Sequence, residues 1–89
     1  MKTRYLPTFI KDLKAIKGLP VYAKIKTLVL ETIPAIDRFD AIPHVKKLRD
    51  RDCMYRIRVG NYRVGFSWDG ETIVFMRALH RKDIYRFFS

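Results

Sequence analysis

Arg56, Arg58, Arg63 and Arg81 are the side chains of this sequence whose type and spacing suggest chemistry. Guanidinium groups grip phosphate through paired hydrogen bonds and keep their charge. RNA carries its own nucleophile, the 2′-hydroxyl beside each phosphate. A protein that holds that hydroxyl in line and neutralises the charge growing on a phosphorane can promote cleavage without a metal and without a carboxylate pair. A proton acceptor or donor would help, and His80 and Tyr85 flank Arg81. Tyrosine, with an ordinary pKa of ~10, needs neighbouring positive charge to act as a base near neutrality. Each residue alone has a plainer reading: the solvated face of an edge strand for Arg56 and Arg58, a core or partner-facing aromatic for Tyr85, a surface or hydrogen-bonded side chain for His80.

Other chemistries find little support. His44, Cys53 and His80 are too scattered for a convincing zinc site. The only serines are Ser67 and Ser89, and no glycine-rich phosphate loop is present. Metal-dependent nucleases need several convergent carboxylates, yet neither glutamate, Glu31 nor Glu71, lies near the cationic face. No metal and no cofactor are expected.

Charge points the same way. The net charge is +10 over 89 residues, a field that favours anionic partners. Residues 44–63 hold seven basic side chains (Lys46, Lys47, Arg49, Arg51, Arg56, Arg58 and Arg63) against Asp50 and Asp52, so half of the net charge sits in under a quarter of the chain. Lys46, Lys47, Arg49 and Arg51 join Arg56 and Arg58 as candidate phosphate contacts. A hydrophobic content of 48% supports a folded chain, and this length suits one domain over 1–89 with one modest core. The lone Cys53 fits a reducing compartment. The amino-terminal residues lack the apolar stretch of a signal peptide, and no apolar run approaches a membrane span. The expectation is a cytoplasmic protein with no membrane contact.

The elements that must position these residues follow from spacing. Tyr55-Arg56-Ile57-Arg58-Val59 alternates, so Arg56 and Arg58 share one face and the apolar residues the other. Gly60-Asn61 makes a two-residue turn into Tyr62–Trp68. Arg58 then sits opposite Arg63, and Gly65 opposite Arg56. Directly opposed like charges destabilise a ladder by a few tenths of a kcal/mol, up to ~1. A sheet that keeps such a pair has an anionic use for it. Asp69-Gly70 turns the chain into residues 72–79, whose stretch Thr72-Ile73-Val74-Phe75-Met76 is apolar on both faces, as an interior strand requires. Upstream, residues 2–6 form a short first strand. A helix opens at Pro7-Thr8, with Thr8 a candidate cap and Phe9, Leu13 and Ile16 on one face. Gly18 ends it. A second helix begins near Pro20, carries a stripe of Val21, Ile25, Leu28 and Thr32 with Val29 and Ile33 beside it, and stops at Pro34. Residues 34–53 read as a loop in which His44–Leu48 approaches the sheet. His80–Phe88 reads as a loop and a helical turn. The class is α+β, in the order β-α-α-β-β-β, with a helical hairpin packed on one face of a mostly antiparallel four-stranded sheet. Tyr62, Val64, Phe66 and Trp68 meet the helices, and the arginines face away. Arg77 conflicts with this pattern: either it snorkels from the sheet end or a bulge shifts the register.

The run Tyr55 to Val64, the apolar strand after it, and His80-Arg81-Lys82-Asp83-Ile84-Tyr85 resemble the RelE/ParE superfamily of toxins from toxin–antitoxin pairs. The resemblance covers nearly the whole chain and is most specific from 55 to 86. It implies a metal-independent messenger-RNA endonuclease that cuts in the ribosomal A site and leaves a 2′,3′-cyclic phosphate. By position it implies that Arg56 and Arg58 contact the RNA backbone, where the best-known member has lysines, a departure that puts acid–base roles there in doubt. It implies that Arg63 stabilises the transition state, Arg81 the transition state or leaving group, and that Tyr85 is the general base, with His80 sharing proton transfer. The implied partners are an acidic antitoxin whose extended or helical segment wraps the toxin, messenger RNA, and ribosomal RNA.

Two rival functions fit the same residues less well. A ParE-like toxin shares the fold and blocks DNA gyrase, but such chains generally lack the arginine and tyrosine set. An RNA-binding module without catalysis would stack bases on aromatics, and few aromatics fall on the arginine face in this register.

Overall fold

The computed structural model describes residues 1–48 and 51–87; Arg49 therefore lies outside the described residues. In chain order the elements are β1 (Lys2–Tyr5), α1 (Pro7–Ala15), α2 (Val21–Thr27), a π-helical turn (Leu28–Thr32), α3 (Ile33–Ala35), a 3-10 turn (Phe39–Ala41), β2 (Val45–Lys47), β3 (Met54–Val59), β4 (Tyr62–Trp68), β5 (Thr72–His80) and α4 (Arg81–Ile84). The sheet order is β1-β5-β4-β3-β2. Among the described residues, β1 and β5 run parallel and the other pairs are antiparallel. The α+β class and the helical hairpin are as expected.

Among the described residues the sheet has five strands, not four. Val45–Lys47 pairs with β3 in the register Val45↔Ile57, Lys46↔Arg56, Lys47↔Tyr55. Three residues carry too little alternation to announce a strand, and Pro43 just before them reads as a turn. The β3–β4 hairpin has the expected register, with Arg58 opposite Arg63 and Arg56 opposite Gly65. Gly60, at φ 59, takes the first central position of its turn, a left-handed conformation that glycine adopts without steric cost.

Arg77 is explained by a bulge. The β4–β5 register passes from Gly65↔Arg77 to Phe66↔Phe75, leaving Met76 as the extra residue. Phe75 and Ala78 both reach the main core, and Arg77 comes free to pair with Asp12 of α1. Its Nε and Nη2 donate to Asp12 at 2.7 and 3.1 Å. Asp12 also accepts the Ala78 N–H at 3.0 Å, and Thr8 Oγ1 donates to the Met76 carbonyl at 3.0 Å. Thus α1 side chains satisfy β5 where β1 has ended. Thr8 is not the helix cap: Leu6 holds that position with no side-chain bond, and Pro7 starts the helix.

The main core lies between the helices and one sheet face. Phe9, Ile25, Val29, Ile33, Val64, Phe66, Ile73 and Phe75 are fully buried, and Tyr62 and Trp68 pack against them. The second helix buries a line at every fourth position (Ile25, Val29, Ile33), while Thr32 is exposed. The π-helical turn before Pro34 explains this. A widened turn moves the buried face toward four-residue spacing, and it lies where the proline ring and missing N–H disturb α-helical bonding. Helical backbone then continues through Pro34 to Ala35.

A second, smaller core occupies the opposite sheet face. Ile84 and Leu48 are buried there with Met54, Met76 and Leu79 packed around them. It docks α4 onto the arginine side of the sheet, the feature that matters most for the site.

Candidate functional site

Alternation in β3 and β4, extended by β2, places Lys46, Arg56, Arg58 and Arg63 on one sheet face. Lys46 opposes Arg56 across β2–β3, and Arg58 opposes Arg63 across β3–β4. Two like-charge pairs thus stand side by side, each costing a few tenths of a kcal/mol, up to ~1. The ion pairs among the described residues are Lys2–Glu71, Arg38–Asp40 and Arg77–Asp12; none involves these four side chains.

The four line one cleft of about 340 Å³ together with His44, Val45 and Tyr85. Tyr85 is 55% exposed and reaches the cleft because the buried Ile84 beside it anchors α4. The Arg56 guanidinium lies over its ring, 5.0 Å from the centroid, a cation–π contact that orients both groups. Arg63 Nη1 donates to the Gly60 and Tyr62 carbonyls, each at 2.9 Å, so the hairpin turn fixes its direction. Burial, opposed by Tyr85 and reinforced by the positive charges of Arg56, Arg58 and Arg81, holds the Arg63 guanidinium below its ordinary pKa. It keeps its charge at any physiological pH, and an arriving anion would relieve that crowding. Such an arrangement can hold a phosphodiester and offer a phenol beside it.

A family model described as the ParE toxin of the type II toxin–antitoxin system parDE matches residues 3–85. The chain belongs to this toxin family. It is 42% identical to Toxin RelE3 of Methanocaldococcus jannaschii over 88 residues, 99% of each chain. It superposes on a chain of the RelB–RelE antitoxin–toxin complex from Methanococcus jannaschii with a TM-score of 0.77 and 40% identity, covering 97% of this chain and 99% of that one. The RelBE2 toxin–antitoxin complex from Mycobacterium tuberculosis shares the fold, with a TM-score of 0.68 and 24% identity, covering 90% and 96%.

Among the described residues, the remaining predicted ones of this ParE-family toxin do not line the cleft. Arg81 does not line it, but its charge acts on Arg63, and its N–H donates to the Asn61 carbonyl at 2.7 Å, tying α4 to the β3–β4 turn. His80 also lies outside the lining. Its Nδ1 accepts the Lys82 N–H at 3.1 Å, capping α4, and its ring meets Tyr62 edge-on at 5.4 Å. Lys47 shares the Tyr55 row, on the other face from Lys46. Arg51 sits in the turn before β3 and is exposed. Sequence reasoning missed His44 as a lining residue; the only signal was its place after Pro43 at the foot of the basic run. Among the described residues, no group of three His, Cys, Asp or Glu could hold a metal ion, and no helix is long and apolar enough to cross a membrane.

Proposed function

We infer that this toxin is a metal-independent endoribonuclease that cuts messenger RNA in the ribosomal A site. The observation that carries the reading is the convergence of Lys46, Arg56, Arg58, Arg63 and Tyr85 on one cleft, with none of these four cations in the ion pairs found among the described residues. The 2′-oxygen forms a bond to its neighbouring phosphorus as Tyr85 takes the hydroxyl proton. The bond from phosphorus to the 5′-oxygen breaks, leaving a 2′,3′-cyclic phosphate, and the departing oxygen takes a proton from solvent water. Arg63 and Arg81 stabilise the extra charge on the phosphorane. Lys46, Arg56 and Arg58 hold the backbone on either side, with Lys47, Arg49 and Arg51 adding to the wider cationic field that draws ribosomal RNA. His80 acts by positioning: it caps α4, which carries Arg81 and Tyr85. The partner that silences the toxin is an acidic antitoxin, a reading supported by relatives solved as antitoxin–toxin complexes and by the +10 charge. The compartment is the cytoplasm, where the ribosomes are.

Induced expression is expected to stop translation and leave cuts in ribosome-bound message, seen by mapping RNA 3′ ends. The ParE description of the matching family favours one second reading, a gyrase-blocking toxin. Intact message with arrested DNA replication would support it and remove the nuclease reading.

Tyr85→Phe removes one oxygen and leaves the Arg56 contact with the ring. Single-turnover cleavage is expected to fall by roughly 10²–10⁴-fold, the range for losing a positioned proton-transfer group, while ribosome binding changes little. Equal losses in both would make Tyr85 a contact residue only.

A further inference from the structure

The arginine cleft does not end at Arg58. Pairing between β2 and β3 stops at Val45↔Ile57 and closes with the Arg58 N–H donating to the His44 carbonyl at 3.2 Å. His44 has a left-handed backbone, φ 57, unusual for a residue with a side chain, and Pro43 before it has no N–H to continue a ladder. The chain therefore turns away, and the last residues of β3 run on without β2 beside them. A groove of about 580 Å³ opens there, between α2, Pro43 and the β3–β4 turn. Leu28, Pro43 and Val59 give it apolar lining, Lys24 and Arg58 give it positive charge, and Asn61 gives it an amide. His44 and Arg58 line both this groove and the arginine cleft.

We propose that this groove binds the nucleotide next to the scissile phosphate, on one side of the cut. The inference rests on the nuclease reading above. An RNA strand whose phosphate sits among Arg56, Arg58 and Arg63 must leave the cleft, and the His44–Arg58 saddle leads into a volume within the range of roughly 300–1,000 Å³ common to small-ligand sites. Apolar walls suit a base plane, the Asn61 amide offers both a donor and an acceptor to a base edge, and Lys24 and Arg58 suit the flanking phosphates. A peptide strand fits less well. The unpaired stretch of β3 is too short for a ladder, and the groove's charge is continuous with that of the phosphate cleft.

The test pairs an abasic substitution in the message with a protein substitution. Message on programmed ribosomes carries one abasic residue at each position flanking the cut in turn, and single-turnover cleavage is measured with the intact chain and with Asn61→Ala and Lys24→Ala. With the unaltered protein, one flanking position is expected to show a penalty of about tenfold, within the range for losing one seated base. In Asn61→Ala that penalty shrinks severalfold, because the two losses are coupled. In Lys24→Ala the salt dependence of cleavage becomes shallower by about one unit of log–log slope, the change for losing one phosphate contact. An undiminished abasic penalty in both variants would overturn the proposal. So would a result in which they only weaken capture of an acidic partner protein. Absence of cleavage by the unaltered chain would instead strike at the nuclease reading, so the two failures are distinct.

Discussion

Replacing Arg63 with alanine is expected to slow cleavage of ribosome-bound message by roughly 10²–10³-fold, the loss typical of one preorganised electrostatic stabiliser. Arg63 is held by two carbonyls of the adjacent turn and faces Arg58 across the ladder. On the proposed reaction its charge is therefore in place before a phosphorane forms and needs no reorganisation. Stability should move little: the two backbone bonds are lost, but the repulsion from Arg58 goes with them, each of the order of 1 kcal/mol or less. A melting curve beside single-turnover kinetics separates the two effects. Arg81→Ala should show a kinetic loss of similar order. Full activity in both variants, with the fold intact, would rule out this site.

Ile84→Ala should damage the site from outside the cleft. Ile84 is fully buried and packs with Leu48, Met54, Met76 and Leu79. Truncating such a residue costs about 2–5 kcal/mol, a large part of the roughly 5–15 kcal/mol that holds a domain together. The loss should concentrate in α4, whose apolar attachment is this small cluster, so Tyr85 and Arg81 lose their positions before the main core opens. Hydrogen exchange at residues 81–87 should accelerate ahead of that at β4 and β5, and cleavage should fall with it. Ile84→Val, expected to cost about 0.5–1.5 kcal/mol, should retain most activity. An alanine variant with native exchange and native rates would show that α4 needs no such anchor.

Local rules account for what could be read from the sequence. The glycine of the Gly60-Asn61 turn fixed the hairpin register, and the register alone set Arg58 opposite Arg63 and bared Arg56 above Gly65. The stripe Phe9, Leu13, Ile16 announced a buried helical face. What escaped was long-range or anomalous. Leu48, Met54, Met76, Leu79 and Ile84 make a core only once the chain has folded, and no period links them. The Met76 bulge reassigns Arg77 to Asp12, a partner far away in sequence. Strand β2 is short and follows a left-handed His44, so its three residues carried no strand signal. That hidden strand brought Lys46 beside Arg56 and His44 to the cleft. His80, grouped with the proton-transfer residues by its proximity to Tyr85, also accepts the Lys82 N–H at the start of α4, a contact that no local pattern announced.

The two opposed cation pairs, Lys46–Arg56 and Arg58–Arg63, place a strain on the sheet that a neutral residue at Lys46 or Arg58 would relax. On the nuclease reading proposed above, the same change would weaken the toxin, so loss-of-function variants at these positions would meet no folding barrier. On that reading, variants drifting into harmlessness by this route would be sturdier than the unaltered chain, and only selection for poisoning would keep the repulsion in place.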